Sequence, residues 1–151
     1  MKMETKLLRN RLADYKYLFI EVVCYAYIIL FLYASAYKLF DYGLFVRQLE
    51  SSPLIGAYRY QVAWLVPLCE IGISALLLFG RTRLLGLYAA SGLMLIFTMY
   101  IAYILLFAPH VPCSCGGILA TMGWGDHLVL NSGFVMLGIT AAYLLRKKVQ
   151  P

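Results

Sequence analysis

The sequence predicts an all-α fold: an integral membrane four-helix bundle with its N- and C-termini on the cytoplasmic side. Three observations predict it. Hydrophobic residues make up 63% of the 151 residues and charged ones only 13%, so lipid has to solvate surface that a soluble domain of this size could not hide. Four apolar runs long enough to span recur, at about 17–37, 60–79, 84–108 and 127–145, each suited to a hydrocarbon core of roughly 30 Å. The basic residues gather at the ends of those runs, which reads as a topology signal; the net charge of +6 therefore does not point to nucleic acid. Residues 1–151 are taken as a single membrane domain, with no repeat or linker visible.

The elements follow in order. The leader carries Lys2, Lys6, Arg9, Arg11 and Lys16, and Leu7, Leu8 and Leu12 are spaced for a short amphipathic helix on the membrane surface; a solvated basic leader is the equal alternative. The first run ends in Ala34-Ser35-Ala36, which has the look of a signal-peptide cleavage site, but the run exceeds a signal core and is read as a retained helix. Residues 38–59 form a polar connection in which Leu44, Phe45 and Leu49 could line one face of a short interfacial helix. The second span is interrupted by Pro67 and Glu70, and Gly80-Arg81-Thr82-Arg83 makes a tight basic turn. The third span is free of charge, and Gly86, Ala89, Ala90 and Gly92 mark a close-packing face on it. After the fourth span the chain closes with Arg146-Lys147-Lys148.

Four spans put both ends on one side. Ten Lys and Arg residues then share that side, five in the leader, two in the turn and three in the tail, against Lys38, Arg47 and Arg59 on the other. The positive-inside rule makes the richer side cytoplasmic. The chain is thus expected to be multi-pass, with the connection between spans three and four on the outer, non-cytoplasmic side.

That connection holds Pro112-Cys113-Ser114-Cys115-Gly116-Gly117, and Trp124, His127 and Asn131 follow it. Disulfides form and persist on the non-cytoplasmic side. Two cysteines one residue apart close only a small ring, which favours a labile, exchangeable bond over a staple. Gly116 and Gly117 supply backbone freedom. The fourth helix starts near Gly125-Asp126 with its positive dipole end toward the cysteines, which favours a thiolate. Cys113, Cys115 and His127 are the candidate catalytic residues, with His127 exchanging protons. Trp124, Asn131 and Glu70 are the candidates for holding a cofactor: a ring to stack on, an amide to orient the imidazole or bond a carbonyl, and a carboxylate within a span.

Each has a plainer reading. His127 can be a helix-start residue, Trp124 an interfacial anchor, Asn131 helix glue and Asp126 a cap. Glu70 reads equally as a proton path or as half of a buried pair, and Lys38 could reach inward to it or snorkel outward. Cys24 and Cys69 read as apolar filler at unmatched depths, and His110 as a loop residue.

Ala34-Ser35-Ala36-Tyr37-Lys38-Leu39, Phe45, Leu49, Ser52-Pro53-Leu54 and Leu65-Val66-Pro67-Leu68-Cys69-Glu70 resemble the first half of the MauE branch of the DoxX-like membrane proteins. The Cys113–Gly117 loop with Trp124, His127-Leu128 and Asn131 resembles its second half. The resemblance implies a four-helix bundle of the bacterial inner membrane, its cysteine loop facing the periplasm, tied to maturation of disulfide-containing periplasmic proteins beside thioredoxin-like or other cysteine-containing partners. The bundle is also similar to those of quinone-linked disulfide-generating enzymes of the DsbB and vitamin K epoxide reductase kind, and a membrane quinone enters by that analogy alone. The chain departs from them in having Cys-x-Cys and no second outward cysteine pair, so exchange would run directly between Cys113/Cys115 and the partner. The leading expectation is a membrane thiol–disulfide oxidoreductase or disulfide-maturation factor. Its rivals are a thiolate metal-handling protein using Cys113, Cys115 and His110 or His127, and a non-enzymatic scaffold subunit of a larger envelope complex.

Overall fold

The architecture comes from a computed structural model, which describes residues 2–50, 52, 54–107 and 123–149. Helix α1 runs Lys2–Phe40. The separate surface helix expected over the leader is not found: residues 2–40 contain neither Pro nor Gly, so nothing ends the helix between leader and span. At 39 residues α1 is about 58 Å long, and its membrane-spanning part is Asp14–Phe40. Helix α2 (Tyr42–Glu50) is the short helix expected in the polar connection; it buries Phe45, Val46 and Leu49 against Ala63. A 3-10 turn, Gly56–Tyr58, leads into α3 (Arg59–Leu78). Helices α4 (Arg83–Phe107) and α5 (Trp124–Val149) complete the chain. Among the described residues four helices are long and apolar enough to cross a membrane, which is the predicted all-α membrane bundle.

The long helices pack as a ring in which α1 touches α3 and α5, and α4 touches the same two, so α3 and α5 face each other across the diagonal. Their shared core joins Cys24, Tyr27 and Phe31 of α1, Leu77 of α3, Leu87, Ala90 and Met94 of α4, and Ala141 and Ala142 of α5. Small residues let the backbones approach, as packing within lipid requires. A Cβ on Gly86 would stand 2.9 Å from Leu77 Cδ2 and 3.1 Å from the Leu77 backbone nitrogen. One on Gly138 would collide with Ser91 Oγ and the Tyr27 hydroxyl, where α5, α4 and α1 meet. Tyr27, fully buried, ties α1 to α5 by donating to the Phe134 carbonyl at 2.6 Å. Gly92 does not join the close-packing face assigned to it: it is exposed and has open space around it. Its position, six residues past Gly86, turns it away from the seam that Gly86 and Ala90 share.

At the turn end Thr82 Oγ1 donates to the carbonyl of Leu76 at 2.7 Å, closing the last turn of α3. Arg83 pairs with Glu21 of α1 at 3.3 Å, and both keep contact with the surface.

A cavity and a buried ion pair at one end of the bundle

Glu70 sits in the middle of α3, one turn after Pro67, and is 1% exposed. Carrying a charge at such a depth costs about 3 kcal/mol on helix-insertion scales, so a partner is required. Lys38, at the end of α1, supplies it: its Nζ donates to Glu70 Oε1 at 2.5 Å. Of the two orientations open to Lys38 from sequence, the structure takes the inward one. The ammonium also lies 5.9 Å from the Phe45 ring centroid and 5.7 Å from that of Phe97, within cation–π range. The second carboxylate oxygen, Glu70 Oε2, is buried with no hydrogen-bond partner among the described residues. Ser74 Oγ donates to the Glu70 backbone carbonyl at 2.8 Å and leaves the carboxylate untouched.

The start of α5 builds the other polar station. Asp126 Oδ2 accepts from the Gly123 backbone N–H at 3.2 Å, the backward half of a capping box. The helix therefore begins at Trp124, and Trp124, His127 and Asn131 fall three and four residues apart on one face. The Trp124 and His127 rings are 6.4 Å apart between centroids and tilted by 53°. Asn131, one turn deeper, is buried.

These two stations face one cavity of about 360 Å³, within the range of small-molecule sites. Its wall takes the last turns of α1, the inner face of α2, the first half of α3, the last half of α4 and the start of α5. Lys38, Glu70, Trp124, His127 and Asn131 all line it, among side chains that are otherwise mostly apolar, such as Phe31, Phe97 and Ile101. All four candidate residues outside the cysteine loop thus share one chamber. Cys113 and Cys115 lie outside the described residues, as does His110. The segment carrying them joins Phe107 to Gly123, so it connects the helix ends that flank the cavity. Cys24 and Cys69 are both free, Cys24 buried beside Tyr27 and Cys69 exposed on the outside of α3. Among the described residues no group of three His, Cys, Asp or Glu side chains is placed to hold a metal.

Sequence reading missed Tyr100. It lines the cavity, and its hydroxyl donates to Ser52 Oγ at 2.7 Å, tying the connection after α2 to α4. The available signal was a phenol in a span free of charge, where a buried hydroxyl needs a partner. Phe97 was missed as well, because nothing local distinguishes a cavity-lining ring from a lipid-facing one.

Fold and site together define a multi-pass integral membrane protein with a ligand-sized chamber in one half of its bundle. Residues 16–144 match the family of the methylamine utilisation protein MauE. The chain belongs to that family, and the match covers the same stretch as the motif resemblance. No curated protein and no solved structure matched it.

Proposed function

We propose that the protein is a membrane thiol–disulfide oxidoreductase serving disulfide maturation. Cys113 and Cys115 exchange with a cysteine-containing or thioredoxin-like protein on the periplasmic side of the inner membrane, and a lipophilic carrier, a membrane quinone by chemistry, is the second substrate in the cavity. In the oxidising direction two S–H bonds break and one S–S bond forms; the two electrons and two protons released convert a quinone to its hydroquinone. The reverse reaction balances in the same way. The partner's disulfide is made or broken through a mixed disulfide with one of the two cysteines, which the other resolves. In this reading His127 takes and returns a proton at the carrier, and Asn131 holds the imidazole or the ligand; both line the cavity, which supports the assignment.

The observation that carries this reading is the chamber itself. It is mostly apolar, has the Lys38–Glu70 pair, Trp124, His127 and Asn131 among the polar groups on its wall, and lies in the half of the bundle from which the cysteine connection departs. A scaffold subunit has no need of a charged pair facing a ligand-sized space.

The test is thiol trapping on protein in which Cys24 and Cys69 are replaced by Ala. Alkylation is measured by mass before and after adding a short-chain quinone. The expected result is loss of two alkylatable sulfurs on addition. Two sulfurs equally reactive under both conditions would rule the reading out. Full function in cells of Cys113→Ser/Cys115→Ser protein would select the scaffold instead.

A further inference from the structure

We infer that the Lys38–Glu70 pair is the head-group seat of the cavity, and that it selects a lipophilic ring compound presenting a hydroxyl, the hydroquinone form of a carrier over its quinone. The inference rests on the reading that a carrier enters this chamber, and it adds which form is held and by which atoms.

An ionised carboxylate can only accept hydrogen bonds, and an ammonium can only donate them. In this pair one carboxylate oxygen is taken by Lys38, while Glu70 Oε2 has no donor among the described residues. A pair built solely to hold α1 to α3 would have both oxygens satisfied, because a buried acceptor without a donor is a standing cost. The residue lies on the wall of a chamber large enough for a substituted ring. A ligand in that chamber that carries an O–H or N–H would supply the donor this oxygen accepts.

A phenolic hydroxyl meets both halves of the pair. The Glu70 carboxylate, whose Oε2 is closed off as it stands, turns toward the chamber so that Oε2 takes the hydroxyl hydrogen, and the lone pair of the hydroxyl oxygen remains available to the Lys38 ammonium. A quinone carbonyl has no hydrogen to give, so it can use Lys38 alone and leaves the carboxylate oxygen as it was. The rings of Phe45 and Phe97 flank Lys38 and supply apolar surface for the ring that carries the hydroxyl. Discrimination by a missing donor is strong because a buried polar group is left unpaired.

The test measures binding in the absence of turnover. Full-length Cys113→Ser/Cys115→Ser protein in detergent is titrated by calorimetry, without oxygen, with a decyl benzoquinone and separately with its hydroquinone. The hydroquinone is expected to bind about ten-fold tighter, the worth of one hydrogen bond to a charged group. In the Lys38→Met/Glu70→Leu double variant, which removes both charges together, the two forms are expected to bind equally. Glu70→Gln, whose amide can donate, is expected to lower or reverse the preference. Equal affinities in the parent protein would overturn the inference, as would binding of neither form. So would a preference that survives in a double variant with native circular dichroism. If the double variant does not fold, the parent ratio and Glu70→Gln still decide. Selective binding with redox-inert cysteines would leave the seat standing while removing the oxidoreductase, so the two failures are distinguishable.

Discussion

The two halves of this bundle use the same four helices in opposite ways. In the half that includes the Gly80–Arg83 turn, helices close on one another until Gly86 and Gly138 leave no room for a methyl group, and Cys24, Tyr27, Leu77 and Leu87 fill the interior. In the other half α2 and the start of α5 hold the wall apart around a cavity, and a buried ion pair occupies the place of core side chains. Helix association in lipid is driven by close packing and interhelical hydrogen bonds. The packed half can therefore supply the stability, which leaves the other half free to keep a space and an unsatisfied oxygen. Such division of labour is expected where a site departs from the packing rules and the remainder compensates.

Single substitutions should separate the halves by size of effect. The largest is expected from Glu70→Leu. It strands Lys38 without its partner, and breaking one side of a buried pair costs about 3–5 kcal/mol. The value should fall near the lower end, because the Lys38 side chain keeps 14% exposure. Chemical unfolding in mixed micelles measures it. Lys38→Met/Glu70→Leu should recover most of the loss, since removing both partners together is often nearly neutral. A double variant as unstable as the single one would show that the cavity half depends on its charges for folding.

Next comes Gly138→Ala in the packed half. The added methyl meets Ser91 Oγ and the Tyr27 hydroxyl, and overpacking of this kind costs about 1–3 kcal/mol. A lowered thermal midpoint with unchanged carrier binding is the expected pair of results. Tyr27→Phe removes the 2.6 Å hydrogen bond to the Phe134 carbonyl and should cost about 1 kcal/mol. Gly92→Ala, in open space on the outer face of α4, should be neutral or stabilise by up to about 1 kcal/mol through helix propensity. If Gly92→Ala proved as damaging as Gly138→Ala, the assignment of packed and open faces on α4 would be wrong.

How much of this was legible from residues alone follows the range of each interaction. Hydropathy is a local property, so the membrane bundle and its four spans could be read directly. Caps are nearly local: Asp126 was readable as a cap, and its bond to Gly123 N–H is what starts α5 early enough to align Trp124, His127 and Asn131. The Lys38–Glu70 pair was readable only as two alternatives, because 32 positions separate the partners and register between α1 and α3 decides which holds. Gly138 carried no signal, since its reason to be glycine lies on α1 and α4. The unbroken run of α1 through the leader was misread because charge suggested a boundary where the helix needed none. Cys113 and Cys115 lie outside the described residues, so their chemistry rests on their spacing and on the chamber beside which their segment begins and ends.

The most direct measurement joins the two parts of the proposed reaction. With Cys24 and Cys69 replaced by Ala, alkylation of Cys113 and Cys115 is followed after quinone addition in the parent protein and in Asn131→Leu, which alters the cavity wall and leaves both cysteines in place. The parent should lose two reactive thiols, while the variant, folded to the same extent, should retain them at least ten-fold longer, about 1.4 kcal/mol in barrier. Oxidation of both proteins at the same rate would mean that the chamber takes no part in the chemistry of the cysteines.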